Sequence, residues 1–202
     1  MRVGMKIIGI TYGGGDSGLK GSTLLLKGDS ALLVGRKPFF IPDETTCPVA
    51  YPALALRVCR LGKTVTPRFA SRYYDAVAPA LDIQASDLLH EAQAQGAPWT
   101  TAVSLDGSLP LGEWKEVRPL SPNGQPPCLR GQLRGNSKEQ EWMISEGRIA
   151  EAVSMASKVM TIRQGDVIYV QLTNEPVALQ RNDLLTARLE GDEADRLFCR
   201  IK

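Results

Sequence analysis

The stretch YPALALRVCRLGK, residues 51–63, puts Leu54, Leu56 and Val58 on one side of an extended chain and Ala53, Ala55, Arg57 and Cys59 on the other. Alternation with a period of two predicts a β-strand. The second side opens with nothing larger than methyl groups. Such a strand is either packed closely on both faces or borders a pocket from which larger side chains are missing.

Most of the chain reads as further strands. MKIIGITY (5–12) is a short buried run, and residues 23–43 form short strands broken at Gly28-Asp29 and Gly35, with Pro38 and Pro42 fixing the exit. Residues 66–77, TPRFASRYYDAV, place Phe69, Tyr73 and Val77 at helical spacing behind a Thr-Pro start and predict a helix of two or three turns. A second helix is predicted from Ser86 or Asp87 to a stop at Gly96. Residues 99–114 mix β-formers with an Asp-Gly turn, and a Pro-rich loop precedes two strand-like runs around Arg134-Gly135-Asn136. Ile149, Val153, Ala156 and Met160 mark a third helix, and the tail from Asp166 to Ile201 returns to strands. No repeating βαβ order is present. The expected class is α+β, strand-dominated, with about three helices in a single domain spanning 1–202.

Charge and composition exclude several functions. Lys and Arg total 24 against 22 Asp and Glu and are scattered, so neither a nucleic-acid surface nor an acidic membrane surface is expected. No apolar run reaches the roughly 18 residues that span a bilayer. The N-terminus reads as a first strand and not as an export signal, which makes the cytoplasm the expected compartment. Cys47, Cys59, Cys128 and Cys199 have no short pairing and are expected as free thiols. A zinc site would call on histidine, and His90, the single one, is expected to be exposed on its helix.

Gly13, Gly15 and Gly18 satisfy G-x-G-x-x-G after a strand, but the following LKGSTLLLKGDSALL does not read as the helix whose amides would face a pyrophosphate. The glycines read as a loop instead.

RVCRLGKTV, PRFASRYYDAV, LDIQASDL, GAPWT and LDGSLPLGEW occur in that order between Arg57 and Trp114. Together with MKIIGI, LLKGDSALL, FFIPD and SKVMTIRQGDVIY, they resemble the fumarylacetoacetate hydrolase family, in particular its compact bacterial members. The resemblance implies a mixed β-sandwich roll of the family's C-terminal-domain type, a homodimer, and a divalent metal, usually Mg2+. It also implies an acylpyruvate-like oxo acid as ligand. In the family, a metal held by three carboxylates chelates the substrate's keto and carboxylate oxygens and stabilises the enolate formed as the bond breaks.

Counting back from RLGK, the family's E-x-E metal pair falls on Tyr51 and Ala53, and the third carboxylate, in L-D-x-T-A-R-D-L, on Asp82. The family's arginine in that motif falls on Ser86, a glutamine beyond it on Leu89 and a lysine on Val103. T-G-T-P falls on Val170 to Thr173, and the segment that carries the family's catalytic histidine is shortened to the glycine loop. The resemblance thus implies a relative without the metal site and without a catalytic residue, acting as a structural, regulatory or ligand-binding protein. The alternative is an active hydrolase, isomerase or decarboxylase of oxo acids with a rebuilt site. Asp82 is left as a residual metal ligand, and Tyr12, Lys27 and Asp82 are expected to line any surviving pocket. Arg57 and Arg60 are read as charges guarding a sheet edge.

Overall fold

A computed structural model describes residues 4–13, 21–117, 129–134 and 139–202. In chain order the strands are β1 (Ile7–Ile10), β2 (Leu24–Lys27), β3 (Leu32–Leu33), β4 (Pro48–Val58) and β5 (Tyr74–Ala85). Helices α1 (Ser86–Gln95) and α2 (Thr100–Val103) follow, then β6 (Leu109–Pro110), β7 (Lys115–Glu116), β8 (Leu129–Arg134) and β9 (Glu139–Ile144). Helix α3 (Glu146–Val159) leads to β10 (Val167–Gln171), β11 (Val177–Ala178), β12 (Leu184–Leu189) and β13 (Leu197–Arg200).

The largest sheet has seven strands, ordered β2-β1-β10-β4-β5-β7 with β11 also on β4. It is mixed, because β1 and β10 run parallel while the β4–β5 pair at its centre is antiparallel. A four-stranded sheet, β13-β12-β8-β9, and the parallel pair β3-β6 complete the architecture. The strand-dominated α+β class expected above is the class observed. None of the helices among the described residues is long and apolar enough to cross a membrane.

One face of the large sheet is a dry core. Leu54, Leu56 and Val58 pack with Ile8, Ile10, Ile168 and Val170 against Ile149, Val153 and Ala156 of α3. The helix is well specified: Ser145 caps its N-terminus by accepting from the Arg148 N–H, and its apolar residues recur at helical spacing. Further along the same face, Leu81 and Ile83 meet Leu185, Leu197 and Cys199 of the four-stranded sheet. The opposite face carries Ala53, Ala55, Ala78 and Ala80 around the buried Tyr169 ring.

Several local expectations change. Residues 67–72 form only a 3-10 helix, and the chain enters β5 at Tyr74. An 11-residue ladder of Cα partners with β4 outweighs the helical spacing of Tyr73 and Val77. Residues 100–103, in the stretch that mixes β-formers with turn residues, form a short helix. Arg57 guards no edge, since β4 lies between β10 and β5; the side chain instead meets Asp75 at 2.6 Å. Helix α1 ends as expected at Gly96, whose φ of 63° is left-handed. The hairpin expected around residues 134–136 exists as the β8–β9 pair, but Gly135 and Asn136 lie outside the described residues, as do Gly15, Gly18 and Cys128. Cys47, Cys59 and Cys199 are free thiols.

Candidate functional site

Four adjacent strands build the site on the alanine face. Tyr51, Ala53 and Ala55 of β4 stand opposite Asp82, Ala80 and Ala78 of β5. On the other side, Ala53 and Ala55 face Gln171 and Tyr169 of β10. Gly9 of β1 stands beside Tyr169, where a methyl group would come within 2.2 Å of the phenol ring. The small residues therefore leave the room that the larger ones fill.

Lys27, at the end of β2, runs into this space and is completely buried at its side chain. Its Nζ lies 2.9 Å from Asp82 Oδ1 and donates to the Ile83 carbonyl (3.1 Å), to Ser108 Oγ (2.9 Å) and to the Val103 carbonyl. An ammonium carries three protons, so four surrounding oxygens leave it nothing to offer a ligand. Burial lowers the Lys27 pKa, and Asp82 opposes that shift.

The other carboxylate oxygen is occupied too. Asp82 Oδ2 accepts from Gln84 Nε2 at 2.8 Å and from Gln171 Nε2 at 2.7 Å. The buried Tyr169 hydroxyl lies near this carboxylate, and burial, followed by the Asp82 charge and hydrogen bonding to Asp82, holds its pKa well above the ordinary phenol value.

Above this closed set opens a cavity of about 270 Å³ whose lining includes Tyr12, Tyr51, Gln84, Trp99, Val103 and Gln171. The Tyr12 N–H donates to Gln171 Oε1 at 3.0 Å. Arg148 stands behind this wall, its guanidinium 4.4 Å from the centre of the Tyr12 ring and its Nη2 donating to the Gln171 carbonyl at 3.1 Å. Burial, then the Asp82 charge, raises the pKa of the Tyr51 phenol.

Of the three residues expected to line a pocket, Tyr12 does so. Lys27 and Asp82 lie together beneath the floor, which corrects the expectation that these two residues line the pocket. Positions 51 and 53, neighbours of Asp82 in the ladder, carry a phenol and a methyl group. Divalent cations such as Mg2+ need several oxygen donors, including anionic ones. A single buried carboxylate already paired with an ammonium at Oδ1 and accepting from two amides at Oδ2, beside a phenol, does not fit that demand. No three His, Cys, Asp or Glu side chains cluster as a metal site among the described residues. His90 is exposed on α1.

The model of the fumarylacetoacetate (FAA) hydrolase C-terminal domain matches residues 17–194. The chain belongs to this family. Among curated relatives, it is 30% identical over 146 residues to the oxaloacetate tautomerase FAHD1, mitochondrial, of Rattus norvegicus, a match covering 68% of this chain and 62% of that protein's length. It is 24% identical over 169 residues to the oxaloacetate tautomerase YcgM of Escherichia coli, covering 83% and 77% of the two chains. Among solved structures, the fumarylpyruvate hydrolase of Pseudomonas aeruginosa in complex with Mn2+ and pyruvate superposes with a TM-score of 0.81 at 20% identity, over 97% of this chain and 88% of that one. The 5-carboxymethyl-2-hydroxymuconate delta-isomerase of Mycobacterium smegmatis gives a TM-score of 0.79 at 20% identity, over 98% and 78%. These likenesses carry the fold.

Gln84, Arg148, Tyr169 and Gln171 were not singled out from the sequence. Two had a signal: Gln171 stands at the glycine of T-G-T-P and Gln84 at the threonine of L-D-x-T-A-R-D-L. Replacing small residues with glutamines beside a surviving aspartate is what a new carboxylate partner requires. Arg148 left no comparable mark, because its role depends on the packing of α3 across β10.

Proposed function

We propose that this protein has given up the divalent metal and oxo-acid catalysis of its family and works as a small-molecule-binding relative. The observation that carries the reading is the engagement of both Asp82 oxygens, by Lys27 on one side and by Gln84 and Gln171 on the other. Tyr51 and Ala53 occupy the positions where the family motif has its other two carboxylates. An internal ammonium supplies the positive charge that the aspartate needs, so the residue is retained without a metal. The homodimer and the cytoplasmic compartment implied earlier belong to the same proposal, and light scattering on the purified chain measures the first.

Calorimetric titration with Mg2+ and Mn2+ tests the central claim. The expected result is no saturable binding in the millimolar range, together with no metal-stimulated turnover of oxaloacetate or fumarylpyruvate. Saturable binding that disappears in Asp82→Asn, or turnover that needs the metal, overturns it. The triple variant Tyr51→Glu/Ala53→Glu/Gln171→Gly is expected to gain Mn2+ affinity. The two glutamates alone are expected to do less, because Gln171 would still hold Asp82 Oδ2.

A further inference from the structure

We infer that the cavity above the Lys27–Asp82 pair takes a small uncharged ligand bearing carbonyl, amide or hydroxyl groups and discriminates against the corresponding carboxylate. The inference rests on the metal-free reading, since a bound dication would provide the positive charge that the described lining residues lack. Its source is the chemistry of the lining. The polar groups include the side chains of Tyr12, Tyr51, Gln84, Gln93, Gln171 and Asn174, all of them hydroxyls and carboxamides. Leu89 and Val103, where the family resemblance implies a glutamine and a lysine, form an apolar strip beside Trp99.

An anion entering this space would leave its hydration shell and find no cation among the described lining residues to replace it, which is costly in a partly buried site. Lys27 cannot serve, as its ammonium is sealed below and saturated. Arg148 is stacked behind Tyr12 and does not belong to the lining. The field of Asp82 does reach the cavity, for it helps raise the pKa of the lining Tyr51 phenol. A neutral amide or polyol meets none of these penalties. It exchanges its water hydrogen bonds for those of the carboxamides while its apolar part rests on Trp99 and Leu89. The volume of about 270 Å³ lies just below the usual range of ligand pockets, roughly 300–1,000 Å³, which favours a small molecule.

Pyruvamide and pyruvate have nearly the same shape and differ in charge, so they isolate the claim. Saturation-transfer NMR titrations of the purified protein in EDTA are expected to show saturable pyruvamide binding, tighter than that of pyruvate by about tenfold or more. Leu89→Arg, on the partly exposed side of α1, adds a cation to the wall and is expected to shrink or reverse that preference. Pyruvate binding as tightly as pyruvamide in EDTA overturns the inference, as does an absence of saturable pyruvamide binding or a preference that Leu89→Arg leaves unmoved. The two proposals fail separately. Pyruvate binding that appears only on adding Mn2+ overturns the metal-free reading, whereas a preference for pyruvate without metal overturns this inference alone.

Discussion

The two faces of β4 follow different rules. Toward α3, Leu54, Leu56 and Val58 are wrapped by aliphatic side chains and contribute through apolar area, at roughly 25 cal/mol per Å². Toward the cavity, Ala53 and Ala55 contribute little area themselves and leave space for Tyr169 and for a buried ion pair. Losses on the first face are graded, because each methyl group acts through contact. On the second face each polar group depends on another, so that deleting one strands its partner. One face can therefore keep the fold while the chemistry of the other is rewritten.

The sharpest way to break this comparison is Lys27→Met. It leaves the Asp82 charge buried without its ammonium partner, and the expected loss is about 3–5 kcal/mol in urea unfolding. Adding Asp82→Leu to that variant is expected to recover much of the loss, since a pair replaced by apolar groups of similar volume strands no charge. A double variant as unstable as the single one would show that the pair is not the unit that matters. Leu56→Ala on the dry face comes next, at about 3 kcal/mol, and no second substitution on the cavity face should rescue it. Gly9→Ala follows at about 1–3 kcal/mol, because its new methyl group meets the Tyr169 ring. Tyr169→Leu is expected to relieve part of that cost.

The dry face was legible in the sequence, and the cavity face only in part. The alternation of Leu54, Leu56 and Val58 and the spacing of Ile149, Val153 and Ala156 are local patterns, and the structure packs these residues together. The same arithmetic fails at Tyr73 and Val77, which share helical spacing although the second lies in a strand. There, pairing with a distant strand decides. On the cavity face, Tyr51, Ala53 and Asp82 could be aligned with a family motif by number. Where Lys27 points could not, because it lies far from its partner in sequence and only the order β2-β1-β10-β4-β5 brings the two together. A lysine beside Gly28-Asp29 reads as an ordinary turn residue until the sheet order is known.

The smallest effect separates the faces by charge. Tyr74, in the dry core, has its pKa pushed up to about 12, by burial and then by the Glu146 carboxylate. Tyr51, on the cavity face, is raised by burial and then by Asp82. A phenol whose folded pKa exceeds its unfolded value, about 10, adds stability that is complete below pH 10 and disappears as pH climbs through the folded value. Stability is therefore expected to fall between pH 10 and about 12, and Tyr74→Phe should flatten that fall. In NMR titrations of ring-labelled tyrosine, Asp82→Asn should lower the Tyr51 pKa and leave that of Tyr74 in place. The substitution removes a negative charge beside one ring, while the other lies on the far side of the sheet under the influence of Glu146. If both tyrosines moved together, the field of Asp82 would extend across the sheet, and the two faces could not be treated as electrically separate. If neither moved, the charge of Asp82 would already be cancelled at the cavity by Lys27, and burial alone would account for Tyr51.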